Sequence, residues 1–133
     1  MTSKVAVARC RSYEEAHIAE ALDKVFKEIN LAEIVKPGDL VLLKPNLLAP
    51  RKPEAAVTTH PAVVREVARR VLALGAEVMV GDSSGGVVGG RFPTERSLSV
   101  SGMTRVCEEL GIKAVNFDTV GSRRIPIAGR FLT

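Results

Sequence analysis

Short apolar runs at 4–8 (KVAVA), 40–43 (LVLL), 76–80 (AEVMV) and 113–117 (KAVNF) alternate with stretches whose apolar residues recur every three or four positions. Parallel strands cannot be joined by a tight turn; they need a long connection, which a helix supplies, and chain twist fixes its hand. The alternation therefore predicts an α/β fold: a three-layer, mainly parallel sheet with right-handed βαβ crossovers, Rossmann-like in outline. The continuously apolar LVLL reads as a strand buried on both faces. No repeat, low-complexity tract or linker divides the chain, so residues 1–133 read as a single domain.

The helical segments carry their own punctuation. Ser12 and Glu15 have capping-box spacing, and Ile18, Ala21, Leu22, Val25, Phe26 and Ile29 follow as one stripe, so a helix of about 17 residues is expected from Ser12. KPGD at 36–39 is a turn. Pro61 opens a second helix through Val64, Val67, Ala68 and Val71, which Gly75 closes. A short helix is expected from Thr94 to Leu98, and another through Met103, Val106, Cys107 and Leu110, ended by Gly111.

Composition narrows the function classes. A net charge of +4 with four Phe, one Tyr and no Trp suits an anionic small molecule and gives no stacking platform for nucleic acid. No apolar run approaches the roughly 18 residues of a membrane span, and the start MTSKVAVARC lacks a signal peptide's long apolar stretch, so a cytoplasmic protein is expected. Two cysteines, Cys10 and Cys107, form no CxxC and define neither a disulfide framework nor a self-contained metal or cluster site.

In an open parallel sheet, ligands bind beyond the carboxyl ends of the strands. That rule nominates Arg9-Cys10, KPNLL (44–48), GDSSGG (81–86) and Phe117-Asp118. The glycines of GDSSGGVVGG (81–90) contain no G-x-G-x-x-G, so there is no dinucleotide fingerprint. A Walker A loop fails as well, since Val87 or Arg91 stands where lysine is required. The glycines are read as slack around a site.

Asp82 can hold a cation, orient a substrate hydroxyl or act as a base; an Asx-turn ending the strand explains it equally. Ser83, Ser84, Gly85 and Gly86 offer hydroxyls and backbone N–H groups beside it. Lys44 is a point charge at the mouth of the second run, where it can meet a carboxylate or phosphate, and Asn46 polarises the same exit or caps a turn. VTTHP (57–61) sets Thr58, Thr59 and His60 at a helix start, where hydroxyls and N–H groups either bind an anion or cap the helix. His60 is the candidate proton carrier; His17 reads as a surface residue and Cys107 as core.

KPNLL, AAVTTHPAVVREV, VMVGDSSGG and VCEELGIKAVNFD, in this order and spacing, resemble the family catalogued as domain of unknown function 362. The resemblance implies site residues at Lys44, Asn46, Thr58, Thr59, His60, Asp82 and Ser83. Ser84 replaces the proline that usually follows GDS in the family. The resemblance also implies that this chain is the N-terminal portion of a longer family domain. Many relatives carry a ferredoxin-like iron–sulfur segment, so a redox-linked reaction is implied, whereas this chain encodes no cofactor site of that kind.

Three readings follow. In the first, Lys44, His60 and Asp82 act on a small anionic substrate or cofactor held by Asn46, Thr58, Thr59, Ser83, Ser84, Gly85 and Gly86. In the second, His60 and Asp82 with Cys10 or Asp118 hold a divalent ion. In the third, the domain is a scaffold that forms a homodimer through the apolar strand IPIAGRFL of the alternating tail RRIPIAGRFLT.

Overall fold

The computed structural model describes residues 4–87, 90–91, 93–121 and 123–126. In chain order its elements are α1 (Glu15–Ile29), α2 (Leu31–Ile34), β1 (Leu40–Leu43), a 3-10 turn (Pro53–Ala55), α3 (Pro61–Ala73), β2 (Glu77–Asp82), β3 (Gly86–Val87), β4 (Gly90–Arg91), α4 (Thr94–Val100), α5 (Met103–Leu110) and β5 (Lys113–Asn116). The main sheet is parallel throughout in the order β1-β2-β5, with Leu43 opposite Val80 and Val80 opposite Ala114. The α/β class and the parallel, Rossmann-like sheet are as expected, with crossovers through α3 and through α4–α5, but the described residues form two layers and not the expected three.

The helices α3 and α5 pack against each other as well as on the sheet, so they share one face of it. Two crossovers of the same hand running the same way, β1 to β2 to β5, require this. The core lies between them and the sheet. Leu47, Val64, Val80, Leu98, Met103 and Cys107 form one cluster, and Val35, Ala68, Val71, Ala76 and Val78 form another. Full burial of a side chain such as Val80 is worth about 1.5–3 kcal/mol.

Packing on one face corrects the expectation for LVLL. Val41 and Leu43 face the helices, but Leu40 and Leu42 remain 61% and 44% exposed. Nor is 4–8 a strand: it has no ladder partner among the described residues, and Val5 and Val7 are 86% and 91% exposed beside Glu28 and Ile29 at the end of α1. Strand propensity in a five-residue run is realised only through pairing.

The first helix begins at Glu15, with Glu14 as its N-cap. Ser12 makes no capping box, because its Oγ accepts from the Glu14 N–H at 3.1 Å and lies 2.7 Å from His17 Nδ1. The helix docks on α3 through buried Glu66. This carboxylate accepts from Arg69 and Arg70, both at 2.8 Å, and these arginines reach Glu15 and Asp23 of α1.

Within the glycine loop, β3 and β4 pair antiparallel with Gly86 opposite Arg91. In the tail, residues 123–126 are exposed and form no strand, and 127–133, with most of the expected dimer strand, lie outside the described residues.

Candidate functional site

Of the segments nominated from sequence, KPNLL and GDSSGG meet the start of α3 at the carboxyl ends of β1 and β2. Phe117-Asp118 is tied in through Asp82 and Thr94, whereas Arg9-Cys10 follows no strand among the described residues and lies exposed beside Ser12. Asn46 and Leu47 leave β1 and are held on both sides. On one side the Asn46 N–H donates to Thr59 Oγ1 at 2.9 Å, the Thr59 N–H donates to the Asn46 carbonyl at 3.0 Å, and Asn46 Nδ2 donates to the Val57 carbonyl at 3.3 Å. On the other side the Leu47 N–H donates to Asp82 Oδ2 at 3.2 Å and the Gly85 N–H donates to the Leu47 carbonyl at 3.3 Å.

Lys44 and Asp82 complete the junction. Lys44 Nζ lies 2.8 Å from Asp82 Oδ1, with the aspartate side chain 7% exposed and the lysine side chain 61% exposed. A buried carboxylate is costly unless both oxygens are satisfied, and here an ammonium takes one and a backbone N–H the other. The lysine, a compact charge with three donor hydrogens, uses one on Asp82 and turns a solvated cation outward.

Close backbone approach sets the fit. A Cβ on Gly85 would lie 2.8 Å from Leu48 Cδ1 and 3.0 Å from the Leu48 carbonyl oxygen. One on Gly81 would lie 2.7 Å from the Phe117 ring. At these two positions the glycines are contacts, not slack.

A second layer of bonds anchors the loop after β2. The Ser84 N–H donates to Thr94 Oγ1 at 2.9 Å, and the Thr94 hydroxyl donates to Asp118 Oδ2 at 2.5 Å. Thr94 escaped the sequence reading because a threonine at a helix start is ordinarily a cap, whereas the N-cap of α4 is Pro93. Among the described residues the Thr58, Ser84 and Ser97 hydroxyls are buried without a hydrogen-bond partner, and the first two belong to loops flanking Asn46 and Leu47.

His60 stands apart from this junction in its contacts. As N-cap of α3 it accepts the Ala62 N–H through Nδ1 at 3.2 Å, and its ring stacks on Tyr13 with centroids 3.7 Å apart. Desolvation lowers its pKa, opposed by the charge of Glu54 and reinforced by Arg65. A neutral imidazole with Nδ1 as acceptor carries its proton on Nε2. The start of α3 is thus largely self-satisfied: Thr59 is spent on Asn46 and Ala62 on His60.

The divalent-ion set is not assembled, since among the described residues no group of three or more His, Cys, Asp or Glu is placed to hold a metal. The Asp82 oxygens go to Lys44 and Leu47, Asp118 engages Thr94, and the Cys10 thiol donates to the Ser12 carbonyl. An iron–sulfur cluster does not fit either. Cys10 is exposed, while Cys107 is packed in the core with its pKa raised by burial, and two separated thiols cannot supply a cluster's usual four.

Fold and site together define a small α/β domain with a parallel sheet, whose loops are gathered at the strand carboxyl ends around a lysine–aspartate pair. A family model described as a domain of unknown function (DUF362) matches residues 41–133, and the chain belongs to that family. A thylakoid-associated protein of Synechocystis is 38% identical over 84 residues, which cover 62% of this chain and 26% of that relative. The matched segment is thus about a quarter of the relative's length. No solved structure matches the chain. Among the described residues no helix is long and apolar enough to cross a membrane.

Proposed function

We propose that this domain binds a small anionic ligand, a phosphate- or carboxylate-bearing metabolite, at the carboxyl ends of β1 and β2, with Lys44 as the charge that recognises it. The observation carrying this reading is the Lys44–Asp82 pair: a buried carboxylate fixes one hydrogen of an ammonium whose remaining donors face solvent. Ser83, exposed on the adjoining loop, adds a hydroxyl, and the orphan hydroxyls of Thr58 and Ser84 supply donors if the flanking loops shift around a ligand.

The roles divide accordingly. Asp82 is the positioning residue, with Asn46, Thr59, Gly85 and Gly86 shaping the loops that hold it. His60 caps α3 and joins the chemistry only where a substrate reaches its Nε2. Our reading places the domain in the cytoplasm as the binding portion of a longer enzyme, and the redox link stays with the rest of such a polypeptide.

A thermal-shift screen of phosphates, sulfate and di- and tricarboxylates tests the proposal. At least one class should raise the melting temperature of the native protein and leave Lys44→Met unmoved. Equal shifts in both proteins, or none in either, would count against it.

A further inference from the structure

A parallel sheet is covered by helices on both faces almost wherever it occurs, because its crossovers carry helices and its strands are apolar on both sides. Here both covering helices, α3 and α5, lie on one face. Alternation and register place Leu40, Leu42, Met79 and Val115 together on the other, as Leu42 stands opposite Met79 and Gly81 opposite Val115, with Glu77 beside Leu40 and Lys113 beside Met79 at the lower end. Leu40 and Leu42 are the most exposed of these, and Phe117 lies over Gly81 at the upper end. The opposite side of these strands is core, whereas on this side Leu40 and Leu42 are exposed, Met79, Val115 and Phe117 are half-buried, and two charged residues flank the apolar patch.

We infer that this face seats an amphipathic helix from the remainder of a family-length polypeptide. A rule of topology and a comparison of lengths select that occupant. A right-handed crossover to a strand added on the opposite sense of the sheet would lay its helix there. In addition, the matched segment is 26% of the thylakoid-associated relative, so a relative of that length has ample chain to provide one. A second copy of this domain would offer a flat, twisted sheet to the same face, without the ridge that a helix fits between strand side chains.

The test uses the isolated chain and a chimaera in which it replaces the matched 84-residue segment of the relative. The isolated chain should enhance the fluorescence of anilinonaphthalene sulfonate, and Leu42→Lys should cut that signal several-fold without lowering its melting temperature. In the chimaera the dye signal should be low, and Leu42→Lys should raise it and lower the melting temperature. Val41→Lys, on the helix-covered side, marks what a core substitution does and should unfold both proteins. The inference is overturned if Leu42→Lys leaves the chimaera unchanged, if the chimaera with Leu42 intact does not fold, or if the isolated chain sediments as a dimer that Leu42→Lys dissociates.

Discussion

Lys44 Nζ and Asp82 Oδ1 lie 2.8 Å apart across the carboxyl ends of two neighbouring parallel strands, one residue solvated and the other buried. The asymmetry gives the two residues different work. Asp82 organises the junction between loops, and Lys44 presents its charge outward.

Asp82→Ala should therefore behave as a structural lesion. It leaves the buried Leu47 N–H without an acceptor, which costs about 1–3 kcal/mol, while Lys44 re-enters water at little cost. Asp82→Asn keeps an acceptor for Leu47 and should lose about 1 kcal/mol. Lys44→Met should lose less stability than Asp82→Ala. Urea unfolding orders the three, and an Asp82→Ala protein as stable as the parent would refute the latch.

Gly85→Ala tests the close approach of two loops. The added methyl meets the Leu48 carbonyl, which cannot rotate aside, as well as the Leu48 side chain. A loss of about 1–3 kcal/mol is expected, of which Leu48→Ala in the same chain should restore only part. Full restoration would place the whole clash on the side chain.

Much of this architecture was legible before any coordinates. The strand LVLL, the helix opened by Pro61 and the helix ended by Gly111 fall where pattern and punctuation put them. So does the convergence of KPN, TTHP and GDS, because topology alone sends those segments to one end of the sheet. What stayed hidden depends on partners distant in sequence. Nothing in KVAVA says that no strand pairs with it, and nothing in LVLL says that both helices choose the same face. Asp82 reads as a base or a turn because its partners, the Lys44 ammonium and the buried Leu47 N–H, lie 38 and 35 residues away. Thr94 reads as an ordinary cap until Ser84 and Asp118 are seen on either side of it.

His60 gives the fold a pH dependence of defined sign. Its pKa is lowered in the folded protein, chiefly by desolvation, so in the window below the usual imidazole value of 6.5 the unfolded chain binds more protons than the folded one. Its contribution is complete above that value and is lost as pH falls through the lowered one. Protonation also removes the Nδ1 acceptor of the Ala62 N–H. His60→Asn retains a good N-cap and does not titrate, so its melting temperature should fall less than the parent's between neutral pH and pH 5. Parallel pH profiles for the two proteins would remove His60 from this account.

The central claim is that Lys44 is the recognition charge of an anion site held in place by Asp82. Titration of the isotope-labelled protein with inorganic phosphate, followed by amide chemical shifts, addresses it residue by residue. The account predicts saturable shifts concentrated at Asn46, Leu47, Ser83 and Ser84, abolished in Lys44→Met while the remaining spectrum stays native. Shifts that persist in Lys44→Met, or that gather instead around the exposed arginines of the tail, would contradict it.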